Sequence, residues 1–144
     1  MPLLNYTTSV PVLRSVQEIS KALVKAGATS IMQDFDIDGV ISAVTFKINL
    51  EGNDIAFKLP ANWQSVLEVM RHDGTPRPRL TPEHAQRVAW RITKDWVEAQ
   101  MAILQTKSVV LPQLFLPYAV DNNGVTLFEK VAMNPQMLLG AEDK

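Results

Sequence analysis

Residues 28–60 read ATSIMQDFDIDGVISAVTFKINLEGNDIAFKLP, and this stretch decides the fold. In its middle, Val40, Val44, Phe46, Ile48 and Leu50 fall at even positions, with Ser42 the only polar member of that series. Thr45, Lys47 and Asn49 fill the odd positions. A two-residue period turns alternate side chains to opposite faces, so this is a strand with one buried face. Asp36-Ile37-Asp38-Gly39 before it carries an Asp-Gly turn signal, and Glu51-Gly52-Asn53-Asp54 after it forms the next turn. Ala28 to Phe35 alternates moderately. Ile55, Phe57 and Leu59 alternate with Ala56 and Lys58 until Pro60 ends the run. The expectation is a three-stranded antiparallel meander.

Helices flank this sheet. Ser15 and Glu18 have capping-box spacing, Val16, Ile19, Leu23 and Ala26 share one face, and Gly27 suits the stop. Asn62 caps a short helix from Trp63 to about Arg71 that buries Trp63, Val66, Leu67 and Met70. The longest helix runs from Thr81 to about Lys107, with Thr81 as N-cap, Pro82 in the first helical position and Glu83 in the first turn. Ala85, Val88, Ala89, Ile92, Trp96, Ala99 and Ile103 line one face. Trp90, Val97, Met101 and Leu104 form a second stripe beside it. Together they cover roughly 220° of the circumference. The second stripe is either further core or a homo-oligomer contact, because aromatic and Met side chains suit both.

Residues 1–14 read as an extended arm and residues 140–144 as a polar tail. Leu111 to Val120 is apolar, but Pro112 and Pro117 prevent a long helix. Val125 to Met133 reads as a short strand or helix that packs Val125, Leu127, Phe128 and Val131. The whole is expected to be one α+β domain over residues 1–144, ordered α-β-β-β-α-α, with helices on one face of the sheet.

Composition narrows the function. A net charge of −1 over 144 residues exerts no global pull on nucleic acid or anionic membrane. No apolar run approaches the ~20 residues that span a bilayer, and the N-terminus lacks the pattern of a signal peptide. The expected location is the cytoplasm. Without cysteine there is no disulfide, thiolate zinc site or thiol nucleophile. The six glycines are scattered singly, so no phosphate loop forms and no cofactor is expected. His72 and His84 read as solvated, structural residues.

Two acidic patterns invite a metal and fit it poorly. Asp34, Asp36, Asp38 and Gly39 match the opening of a calcium loop, but its twelfth position is Thr45 and strands flank it. An acidic hairpin turn explains it as well. The α-β-β-β-α order is similar to the core of metal-dependent nucleases. However, Asp54 to Lys58 has the wrong spacing and the second strand holds no partner acid.

Local charge is more telling. From Arg71 to Lys94, six basic residues face two acids, a local charge of +4, while the rest of the chain carries −5. Arg71, Arg77, Arg79, Arg87, Arg91 and Lys94 are therefore the candidate nucleic-acid or anion-binding residues. Trp63 is a candidate base-stacking platform beside them.

AQRVAWRITKDWVEAQMAILQ at 85–105, with FKLPANW, QLFLPYAV and TLFEK, resembles a family of short uncharacterised proteins encoded by phages and integrative mobile elements. The resemblance runs from Asn5-Tyr6-Thr7-Thr8 to Lys130. It implies a bacterial cytoplasm and a mobile element, and it assigns no residue a role. In topology alone the order is also similar to phage single-strand annealing proteins, oligomeric rings that hold single-stranded DNA in a basic groove. The expected function is a non-enzymatic, oligomeric binding protein for single-stranded nucleic acid or another phosphate-bearing ligand. The alternatives are an anti-defence or accessory protein that blocks a host protein or sequesters a nucleotide messenger, and a metal-dependent enzyme built on Asp34, Asp36 and Asp38.

Overall fold

The computed structural model describes residues 2–140. The expected tail at 140–144 lies outside them except for Gly140. The architecture is α+β. Helix α1 (Val12–Lys25) leads into strands β1 (Ser30–Phe35), β2 (Ile41–Leu50) and β3 (Asn53–Pro60). Helix α2 (Trp63–His72) and a 3₁₀ turn (Arg77–Arg79) precede the long helix α3 (Pro82–Gln105). Short elements follow: α4 (Leu111–Phe115), a second 3₁₀ turn (Leu116–Tyr118), β4 (Ala119–Val120), α5 (Leu127–Met133) and α6 (Gln136–Leu139).

The sheet is antiparallel, in the order β1-β2-β3-β4. The meander matches the sequence expectation, but the sheet has four strands, not three. Ala119 and Val120 pair with Phe57 and Ala56 on the far edge of β3. A two-residue strand just after Pro117 has no periodicity to reveal it. It exists because β3 offers it a partner.

On one face of the sheet, Val44, Phe46, Ile48, Phe57 and Leu59 form the core with Val16, Ile19 and Leu23 of α1 and Trp90 and Val97 of α3. Phe46 and Phe57 stack with ring centroids 5.2 Å apart, and Phe115 of α4 meets Phe46 edge-on at 5.5 Å. Trp96 bridges Phe115 and Tyr118 at 5.3 and 5.7 Å. This aromatic chain is what orders the irregular apolar segment after α3. The other face places Met32, Thr45 and Lys58 side by side across three strands.

Several local expectations are corrected. α1 begins at Val12 after Pro11, so Ser15 and Glu18 do not cap it. Both are drawn instead into contacts with α3, a tertiary use of polar groups that local spacing cannot show. The arm accordingly ends at Pro11, and it contains a turn rather than a fully extended chain. Trp90 and Val97 of the second α3 stripe lie in the core, 1% and 0% exposed. Trp90 Nε1 donates to the Ile41 carbonyl at 3.2 Å. The core alternative therefore holds for that part of the stripe. Residues 127–133 are helical, capped by Thr126 in a reciprocal box with Glu129 at 3.1 and 2.9 Å. Phe128 on that helix does not pack inward and is 64% exposed.

Candidate anion-binding cleft

The arm, the first 3₁₀ turn and the start of α3 enclose the candidate site. Thr81 Oγ1 caps α3 by accepting from the His84 amide at 3.1 Å. His84 in that first turn is buried at 6% exposure, against the expectation of a solvated residue. Its Nε2 lies 2.6 Å from the Tyr6 carbonyl, and its Nδ1 lies 3.3 Å from Arg87 Nη2. A carbonyl only accepts and a guanidinium only donates. The ring is therefore the Nε2–H tautomer, donating to the arm and accepting from Arg87. Its apolar body replaces water while both nitrogens stay satisfied, so burial is inexpensive.

A second contact pins the arm further along α3. Asn5 Nδ2 donates to Asp95 Oδ2 at 2.7 Å, and Asn5 adopts a left-handed backbone with φ of 64°. Asn is among the few residues that tolerate this conformation. The turn it makes lays the arm against α3.

Between these parts lies a cleft of about 630 Å³, lined by Thr7, Thr8, Ser9, Arg79, Glu83 and Arg87 among others. Arg79 and Arg87 form no ion pair among the described residues. Arg87 spends one donor on His84, leaving the rest of its guanidinium for a ligand. With three hydroxyls opposite, the cleft has the donors that recognise an anion's oxygens. Glu83 also lines the cleft, and its carboxylate counters part of the charge of Arg79 and Arg87.

The six basic residues marked by the sequence do not form one surface. Arg79 and Arg87 line the cleft, and Arg77 stands exposed two residues away on the 3₁₀ turn. Arg71 is apart from it on α2, in a loose pair with Glu68 at 3.6 Å. Arg91 and Lys94 point into the α1–α3 seam, with side chains only 15% and 12% exposed. Arg91 Nη2 lies 2.9 Å from Glu18 Oε1, and Arg91 Nη1 donates to Ser15 Oγ at 3.2 Å. Lys94 meets Glu98 at 2.7 Å and lies 3.8 Å from both Glu18 and Asp95. Burial pushes the Glu18 carboxyl up, but Arg91, Arg14 and Lys94 outweigh it and hold the carboxyl below its ordinary range. Arg91 and Lys94 are thus committed to acids within the chain.

Thr7, Thr8, Ser9 and His84 were not singled out from the sequence as binding residues. The run Thr7-Thr8-Ser9 is the only signal of the three hydroxyls, and nothing local signals the burial of His84. Trp63, the candidate stacking platform, is half-buried against the core and does not line the cleft. The acidic hairpin serves the fold. Asp36 Oδ1 accepts from the amides of Asp38 and Val40 at 2.9 and 3.0 Å, and Asp34 Oδ2 accepts from Thr45 at 3.0 Å. Among the described residues no three acidic or histidine side chains come together as metal ligands, and no helix is long and apolar enough to cross a membrane. No protein-family model, curated protein or solved structure matches this chain.

Proposed function

We propose that this protein is a non-enzymatic binding protein that holds a phosphate-bearing ligand, single-stranded nucleic acid foremost, in the cleft between its arm and α3. One observation carries the reading: Arg79 and Arg87, free of acid partners, share a cleft with the hydroxyls of Thr7, Thr8 and Ser9. Guanidinium groups suit phosphate because their donors match its oxygens in pairs. In this reading the +4 segment divides its labour. Arg79 and Arg87 contact the ligand, Arg77 adds long-range attraction, and Arg91 and Lys94 hold the scaffold. The resemblance to mobile-element proteins supports a setting in a bacterial cytoplasm.

The test is anisotropy of a labelled single-stranded oligonucleotide at low and moderate salt. Binding that weakens steeply with salt, and weakens further in the Arg79→Ala/Arg87→Ala variant, supports the proposal. No binding at low salt overturns it.

A second reading, a protein that docks on a host protein or on its own copies, is favoured by a different observation. Leu116, Phe128, Met133, Met137, Leu138 and Leu139 are each between 49% and 75% exposed, all in the last part of the chain. Exposed apolar side chains gathered in one region mark interaction surfaces. Native mass spectrometry of the purified chain separates the cases, since a discrete oligomer supports self-association and a monomer refutes it.

A further inference from the structure

The outer edge of β1 is unpaired. β1 borders only β2, and residues 30–35 make no backbone hydrogen bond outside the sheet among the described residues. In an antiparallel pair, every second residue of the edge strand turns its N–H and C=O away from its neighbour. Such an edge is a template for another strand.

Beside it runs a groove of about 720 Å³ between α1 and β1. Gln17, Lys21, Val24 and Lys25 form the helix wall, and Ile31 and Gln33 form the strand side. Val24, 58% exposed, and Ile31 are the apolar side chains of its lining. Lys21 and Lys25 form no ion pair among the described residues, and no acid lines the groove. The nearest acid on β1, Asp34, points to the other face and is engaged by Thr45. An edge strand flanked by a helix is the geometry in which extended peptides add to a sheet, the backbone supplying affinity and alternate side chains the specificity.

The spacing defines the peptide. Two residues four apart on a helix are separated by about 6 Å along its axis. Two residues two apart on a strand are separated by about 6.7 Å. Acids at alternate positions of an added strand therefore fall on one face with the separation of Lys21 and Lys25. We propose that this groove binds an extended, acidic peptide of a partner protein, which pairs with Ser30–Gln33 and sets carboxylates at positions i and i+2 against Lys21 and Lys25. The register shift at Asp34/Phe35 bends the edge and limits the pairing to those residues. A second copy's β1 suits the groove less well, because SIMQDF carries one acid where the groove asks for two.

The test selects binders to the full chain from a displayed library of random twelve-residue peptides. The expected result is enrichment of acid-x-acid peptides. A synthetic winner then protects the outward-facing amides within Ser30–Gln33, every second one, from hydrogen exchange, and Lys21→Glu/Lys25→Glu weakens it at least tenfold with an unchanged melting temperature. A scrambled peptide with its acids adjacent binds worse. Selection without acidic enrichment, protection elsewhere than β1, or indifference to the charge reversal overturns the proposal. So does a dimer in which β1 is protected before any peptide is added.

Discussion

Glu18 on α1 and Arg91 on α3 approach to 2.9 Å, and around this pair the two helices are joined by polar groups as well as by the core. Arg14 meets the other Glu18 oxygen at 3.3 Å, Lys94 stands 3.8 Å away, and Ser15 accepts from Arg91. One carboxylate thus neutralises cations from both helices in a seam that excludes much of the water. This is why two of the six basic residues belong to the scaffold.

Glu18→Gln is expected to destabilise the protein by about 1–2 kcal/mol near neutral pH, because Arg91 and Lys94 lose their shared counter-charge. The pH dependence has a definite sign. The folded carboxyl titrates below its ordinary value of 4.5, so its stabilisation is complete above that value and is lost as pH falls through the lower, folded one. Denaturant melts of wild type and Glu18→Gln should differ at neutral pH and converge in acid. A gap that persists in strong acid contradicts the charge interpretation.

Substitutions at Arg79 and Arg87 should act on binding, and those at Arg91 on stability. Each alanine at Arg79 or Arg87 is expected to weaken oligonucleotide binding roughly five- to tenfold and to reduce the salt slope by about one. Arg71→Ala, outside the cleft, should leave both unchanged. Arg91→Ala should lower the melting temperature first. Anisotropy and thermal melts on the same four variants check the division.

Trp90→Phe should cost about 1–2 kcal/mol, because the buried Ile41 carbonyl loses the indole N–H. Trp90→Ala should cost about 3–5 kcal/mol through the cavity it leaves. Chemical denaturation measures both. Costs near zero would place Trp90 outside the core.

Asn5 joins a left-handed backbone to a hydrogen bond on Asp95, and the two effects separate by substitution. Asn5→Gly relieves the backbone but loses the bond, whereas Asn5→Ala loses both advantages. Asn5→Ala should therefore be the worse by about 0.5–1 kcal/mol. Hydrogen exchange at the arm amides should rise in the order wild type, Asn5→Gly, Asn5→Ala. Equal exchange in all three would mean the arm is held by other contacts.

Strands β1 to β3, the caps Asn62 and Thr81, and the length of α3 were legible because each rests on local chemistry. Alternation, turn residues and capping oxygens act within a few positions of one another. β4 was not legible, since two residues carry no period, and neither was the start of α1, where Ser15 and Glu18 fit a cap that the fold does not use. The site was half legible. The basic segment announced itself by charge, and it contains Arg79 and Arg87. Which of its members are taken up by an internal acid depends on Glu18, 73 positions before Arg91 in the chain.

The sequence by itself determined the α+β class, the meander and the breadth of the apolar surface of α3, because these follow from periodicity and local hydrogen bonding. Only the tertiary structure decided which charges are free. Whether an arginine meets a ligand or an internal acid depends on distances between residues remote in sequence. Charge counted along the chain carries no such distances. The same holds for His84, whose burial beneath Tyr6 turned an apparently solvated residue into the link between the arm and Arg87.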